Sequence, residues 1–216
     1  MPPGVKPPRR RYNSPLRADQ ARQTRSRILD AAYRLFAERG YAATTIAAVA
    51  DAAGVSSETI YLTLGGKRGL LENVIEMAIA PEAASSTQED ALRNELGQLP
   101  EARERLRAMV EYSCRILSRT APIHAVIRGA ADKEAFAAAL GRRLLQDRVD
   151  KQTERIREHL GDHLREGLSV GEAGHRYCAL ASPELYYTLT VEFGWTAKRH
   201  RQWLTQLLES DLLQAL

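Results

Sequence analysis

The tightest constraint in this chain lies between Thr44 and Gly66, where two helical repeats of about two turns each flank a single glycine. Thr44 or Thr45 is placed to cap the first repeat, which carries Ile46, Val49 and Ala50 and stops at Gly54. Ser56 is placed to cap the second, from Ser57 to about Leu64, which Gly65 and Gly66 end. A glycine at 54 can take the left-handed conformation that a sharp interhelical corner needs. Val55 then plugs the angle, with Ala47, Val49 and Ala50 behind it and Ile60 in front. Ser57, Glu58, Thr59, Tyr61, Leu62 and Thr63 are left facing outward, a set that is short or hydrogen-bonding, as an element entering a major groove requires.

The rest of the chain is also periodic at helical spacing. Ile28, Ala31, Ala32, Leu35 and Phe36 predict an amphipathic helix from about residue 23, closed by Gly40. Leu70, Leu71, Val74, Ile75 and Met77 predict another to about residue 80, before Pro81 and Ser85-Ser86-Thr87 mark a break. Further on come a stripe from Leu106 to Leu117 and a long charged helix from about 133 to 164. Two apolar helices, about 183–194 and 197–213, end the chain. No run alternates with period two between turn signals, so the expected fold is all-α. The expected organisation is a flexible basic arm at 1–20, a three-helix helix-turn-helix domain at 21–66, a connecting helix at 67–80 and a larger helical domain at 81–216.

Charge divides the chain in the same way. The net charge is only +4, but residues 1–70 hold 12 Lys and Arg against 5 Asp and Glu, so this third carries +7 and the other 146 residues −3. A basic end on a mildly acidic body implies that one end meets a polyanion and the other does something else. No stretch approaches 18 uninterrupted apolar residues, the N-terminus lacks an apolar segment behind its basic run, and Cys114 and Cys178 lie far apart. These features predict no membrane span and a reducing cytoplasm.

The segment at 28–71 carries a family resemblance. It reads Ile-Leu-Asp-Ala-Ala-Tyr-Arg-Leu-Phe-Ala-Glu-Arg-Gly-Tyr, then Thr-Thr-Ile-Ala-Ala-Val-Ala-Asp-Ala-Ala-Gly-Val-Ser-Ser-Glu-Thr-Ile-Tyr, then Gly-Gly-Lys-Arg-Gly-Leu-Leu. In order and register it closely resembles the DNA-binding domain of tetracycline-repressor (TetR) family regulators. The resemblance implies a sequence-specific DNA-binding transcriptional regulator, a homodimeric repressor released from a palindromic operator by a small-molecule effector. It places Thr44 and Thr45 at the phosphate-facing start of the second helix, and Ser56, Ser57, Glu58 and Thr59 at the start of the recognition helix, beside Leu62. Tyr61 falls at a phosphate-contacting aromatic position and Lys67 at the start of the fourth helix. The family commonly has an aromatic pair after Tyr61, where this chain has Leu62, Thr63 and Leu64, so base preference does not transfer. Arg9, Arg10 and Arg11 are expected to enter the adjacent minor groove.

Two helix-turn-helix units on one duplex need a partner surface, for which Tyr186, Leu189, Phe193, Trp203, Leu207 and Leu208 are candidates. An effector pocket would draw on Tyr112, His124, Phe136, Tyr177 and Tyr187, with Cys114, Cys178 and Trp195 as further aromatic or thiol candidates. An effector-independent DNA-binding or interaction protein is the alternative. Enzyme chemistry is not expected, nor is a metal or cofactor. His159 and His163 have zinc spacing without a third ligand and sit on a charged face. Gly65-Gly66-Lys67 lacks the upstream glycine and the Ser or Thr of a phosphate loop, and reads as a helix cap and phosphate contact. The two cysteines read as buried structural thiols.

Overall fold

A computed structural model describes residues 15–79 and 85–214; Arg9, Arg10 and Arg11 lie outside them. The described residues form ten α-helices and no β-strand: α1 (Pro15–Ala43), α2 (Ile46–Ala53), α3 (Ser57–Leu64), α4 (Lys67–Ile79), α5 (Ser85–Gln98), α6 (Ala102–Ala131), α7 (Ala135–Leu160), α8 (Val170–Leu180), α9 (Pro183–Tyr187) and α10 (Ala197–Leu212). A short 3₁₀ turn, Gly161–His163, follows α7, and a π-helical turn, Thr188–Glu192, follows α9. No described helix is long and apolar enough to cross a membrane.

The helix α1 starts at Pro15, ahead of the apolar stripe that predicts it, because proline's fixed φ and missing N–H suit a first helical turn. Its far end breaks at Gly40, where the backbone turns to φ 75° and ψ 174°. Two helices lack a counterpart in the sequence reading. The stretch at 85–87, read there as a break, begins α5, and α8 falls in a segment the apolar stripes pass over. Ser169 caps α8 by accepting from the Glu172 N–H at 3.2 Å.

Packing does not follow the expected domain boundary at residue 80. The first core joins Ile28, Phe36, Ile60, Leu70, Leu71 and Ile75 of α1, α3 and α4, all essentially inaccessible, to Ile123, Val126 and Ile127 of α6 and Leu140 of α7. Burying such side chains is worth roughly 1.5–3 kcal/mol each. The second core uses the other halves of those two helices, Leu106, Met109 and Val110 of α6 and Ile156 and Leu160 of α7, with Tyr177, Leu204 and Leu208. The handover falls between Ala121 and Ile123, at Pro122 inside α6. Proline has no N–H to give the preceding turn, so α6 is locally under-bonded where the cores meet.

Several residues tie the two halves together. The Tyr33 hydroxyl donates to the Arg119 carbonyl at 3.0 Å, while the Arg119 guanidinium donates to the carbonyls of Ala78 (3.1 Å) and Ile79 (3.4 Å) at the end of α4. Phe136, expected in a ligand pocket, instead packs on Tyr41 of α1 with ring centroids 5.4 Å apart, under the Arg68 guanidinium. It belongs to the seam between the halves because α7 begins against the N-terminal core.

Candidate nucleic-acid interface and internal cavity

The corner between α2 and α3 is built as the glycine predicts. Gly54 sits at φ 66° and ψ 42°, and its N–H bonds back to the α2 carbonyls. Val55 N–H donates to the Ala50 carbonyl at 3.0 Å, and the Val55 side chain packs on the first core. Behind it Val49 and Ala50 are buried, whereas Ala47 is exposed. Thr45 caps α2 by accepting from Ala48 N–H at 3.1 Å. Ser56 caps α3 by accepting from Thr59 N–H at 3.2 Å, and the Ser56 and Thr59 hydroxyls bond each other at 2.9 Å. Thr63 donates back to the Thr59 carbonyl at 2.6 Å.

With its own hydroxyls engaged, α3 presents Glu58, Tyr61 and Leu62 most openly, Tyr61 58% and Leu62 82% exposed, with Ser57 half-buried at its start. A leucine this open on a short, doubly capped helix gains nothing from its own fold. Thr45 is exposed beside it at the start of α2.

Thr44 is a correction. The resemblance sets it against phosphate, but it is only 1% exposed and its hydroxyl points inward to the carbonyls of Leu35 (3.0 Å) and Gly40 (2.8 Å). The break at Gly40 frees α1 carbonyls that need a donor, and Thr44 supplies it. Lys67 is also partly engaged: its ammonium lies 4.4 Å from the Tyr41 ring centroid and donates to the Ala42 carbonyl at 3.1 Å. Partial burial lowers its pKa, against a smaller upward pull from Glu134. Arg27, which the sequence reading left unassigned, is exposed and reaches the Gly54 turn.

A second concavity lies inside the C-terminal half, a cavity of about 190 Å³ between α6, α7 and α8. Tyr112 and His124 of α6 and Tyr177 and Cys178 of α8 line it. Of the expected pocket residues the structure thus brings three together, with the thiol of Cys178. Phe136 lies in the seam, Tyr187 packs on the second core, and Cys114 faces His200 instead, Sγ to Nδ1 at 3.7 Å. Trp195 stacks edge-on to Trp203, beneath the Arg199 guanidinium.

The cavity's polar wall went unread in the sequence. On α7 the apolar stripe Ala137, Leu140, Leu144 resumes at Ile156 and Leu160, and between them Arg148 and Gln152 occupy its positions, with Arg155 beside them. A core stripe interrupted by two polar residues one turn apart is the signal that marks a cavity wall. Opposite, Ser113 of α6 bonds the Tyr177 hydroxyl at 3.0 Å, and burial raises that phenol's pKa. Burial, helped by the Arg148 cation, pushes His124 down to about 4, so it is neutral near pH 7. Burial likewise pushes Cys114 up to about 11 and raises Cys178, so neither thiol carries nucleophilic thiolate near neutrality. Among the described residues no three His, Cys, Asp or Glu side chains are placed to hold a metal.

The expected partner surface splits. Tyr186, Leu189 and Leu208 are buried within the subunit's own second half, so they cannot present a face. Leu208 points inward with Leu204 and Leu212, four residues apart on α10. Phe193, 67% exposed, and Val191 stand out at the π-turn, with Trp203 and Leu207 half-buried on α10.

Known proteins resemble the chain in two ways. The sequence profile described as "Bacterial regulatory proteins, tetR family" matches residues 28–74. YvkB of Bacillus subtilis (strain 168), an uncharacterized HTH-type transcriptional regulator, is 44% identical over 54 residues, 25% of this chain and 29% of that protein. The chain thus spans little more than a quarter of the length of the curated relatives it matches. Likeness of fold extends further. NalD of Pseudomonas aeruginosa, the secondary repressor of the MexAB-OprM multidrug efflux pump, superimposes with TM-score 0.67 at 17% identity over 92% of this chain and 100% of its own. A protein from Saccharomonospora viridis crystallised with choline gives TM-score 0.68 at 22% identity, again over 92% and 100%. The segment at 28–74 thus matches the helix-turn-helix profile of the tetR family of bacterial regulatory proteins, and the described chain shares the all-helical fold of these solved structures.

Proposed function

We propose that the protein is a DNA-binding transcriptional regulator, a homodimeric repressor that leaves a palindromic operator when a small molecule enters the C-terminal cavity. The observation that carries this reading is α3: doubly capped, fixed at a glycine corner and exposing Glu58, Tyr61 and Leu62 from a domain matched to DNA-binding regulators. Thr45 and the start of α3 at Ser56 and Ser57 take phosphate, as does Lys67 when its ammonium swings from Ala42. Arg9, Arg10 and Arg11 take the minor groove.

Dimerisation uses the exposed side chains of Val191 and Phe193 with Trp203 and Leu207. Release uses α4 as a strut. Ile79 at its end lines the cavity, Arg119 beside the cavity residue Thr120 holds its last carbonyls, and Lys67 at its start touches α1 next to the recognition helix. An occupant that fits one position of this strut better shifts the half-site separation by differential affinity. NalD, a repressor, and the choline-bound Saccharomonospora viridis protein share the fold and support this reading by analogy.

Genome-wide footprinting of the purified full chain tests it. Enrichment of a palindrome with half-sites roughly 34–36 Å apart, lost as salt rises, is the expected result. Failure to enrich any palindrome overturns it, and a single-subunit mass in solution at micromolar concentration removes the dimer.

A further inference from the structure

We propose that the cavity takes a small organic acid, a single ring carrying one carboxylate, and that Arg148 and Gln152 hold the acid group. The proposal deepens the effector reading above and rests on it for its regulatory consequence. Gln152 is only 4% exposed, and its Oε1 accepts from Arg155 Nη1 at 2.8 Å. That bond settles the amide orientation, because an NH₂ group could not accept it. Gln152 Nε2 is therefore a buried donor, and it has no partner among the described residues. Arg148 Nε is buried and without a partner in the same way.

Buried donors left unmade are costly, and the side chains are four residues apart on one face of α7 at the cavity wall. What satisfies two neighbouring buried donors on one wall, one of them on a cationic side chain, is a pair of anionic oxygens. Among the described residues no carboxylate fills that place: Glu89 is taken by Lys151 at 3.1 Å, and no ion pair involves Arg148 or the exposed Asp147.

The rest of the wall selects the body. Ile116, Leu117 and Leu144 offer an apolar patch. A volume of about 190 Å³ is somewhat larger than the roughly 150 Å³ of a cavity that binds benzene. A quaternary ammonium is disfavoured, because the ring face it would need at Tyr112 already has the guanidinium carbons of Arg155 and Arg115 at 5.4 and 5.8 Å.

The test uses the full chain, with calorimetric titration and unfolding temperature as readouts. The probes are benzoate and phenylacetate, their neutral isosteres benzamide and phenylacetamide, and choline. Expected is saturable binding of at least one acid with a rise in Tm, binding about tenfold or more weaker for its amide, and none for choline. Arg148→Met should weaken acid binding by a similar factor while leaving the ligand-free Tm nearly unchanged, since it removes a buried Nε donor that has no partner among the described residues; a merely structural arginine would lower it. Should that variant not fold, Gln152→Leu serves, again with loss of acid binding expected. Equal binding of acid and amide, saturable choline binding, no binding by either acid, or full acid binding to Arg148→Met overturns the proposal. Acid binding that leaves the operator complex intact supports the ligand class and overturns the effector reading instead.

Discussion

The N-terminal helices and the C-terminal cavity region handle their buried polar groups in opposite ways. In α1–α4 the hydroxyls that shape the corner are spent locally: Thr44 on α1 carbonyls, Thr45 and Ser56 on cap N–H groups, Thr63 on its own helix. Among the described residues the buried side-chain nitrogens without a partner, Arg148 Nε, Gln152 Nε2, His159 Nε2 and His200 Nε2, all lie on α7 and α10. A saturated unit has one arrangement and can present a fixed surface; an unsaturated one holds its interactions open for something else. The molecule thus separates rigidity from responsiveness along its length, and Pro122 in α6 stands near the division.

The contrast breaks most visibly at two glycines. A Cβ at Gly69 would run into the backbone carbonyl oxygen of Leu64, which cannot turn aside, so Gly69→Ala should cost about 3 kcal/mol or more in chemical denaturation and abolish operator binding. At Gly174 the nearest atom is the Thr153 hydroxyl, which a rotamer change can move, leaving the tighter-than-usual Thr153 Cβ and Cα at 3.0 and 3.2 Å, and Gly174→Ala should cost about 1–2 kcal/mol. Equal losses would erase the distinction. Thr44→Val should follow at about 1–3 kcal/mol, because it leaves the Leu35 and Gly40 carbonyls without their donor.

Protonation sharpens the comparison from the other side. His124 is held down to about 4, far below an exposed imidazole, and His159 and His200 are shifted in the same direction by burial. As pH falls below about 6.5, the unfolded chain takes up protons that the folded one refuses. Their contribution is therefore fully present above that pH and falls away as the solution is acidified, that of His124 down to about 4. Denaturation across this window should show the decline, and His124→Gln should flatten it in part. Smallest of all in stability is Leu62→Ala, within about 0.5 kcal/mol of the parent, since that side chain touches solvent; it should nonetheless weaken specific DNA binding in a gel-shift titration.

How far the sequence could be read follows the same division. The corner at Gly54, the caps at Thr45 and Ser56 and the exposed face of α3 obey short-range rules, so residue types at fixed offsets announce them. Thr44 escaped that logic because its role depends on carbonyls freed nine and four residues earlier by the break at Gly40. On the C-terminal side the helical class and α7 and α10 were legible, while α5 and α8 were not, having charged or mixed faces that depend on neighbours. Leu208 and Tyr186 look like interface residues in one dimension, since an apolar stripe does not say whether it meets its own chain or another. Arg148 and Gln152 were visible all along as a gap in the α7 stripe, but only the packed bundle shows that the gap faces a cavity.

The turn after Tyr187 is one residue wider than the helix that leads into it. Phe193 N–H donates to the Thr188 carbonyl at 2.9 Å, five residues back, so this turn holds one residue more than an α-helix would. Deleting Val191, whose side chain is exposed, would let it close into an α-turn and re-index Glu192 and Phe193, the last residues before the break at Gly194, by about 100° around the helix axis. Phe193 would then leave its outward direction. The surplus residue acts as an insertion that the fold has absorbed, and it ties the aim of this exposed apolar side chain to chain length as much as to side-chain identity.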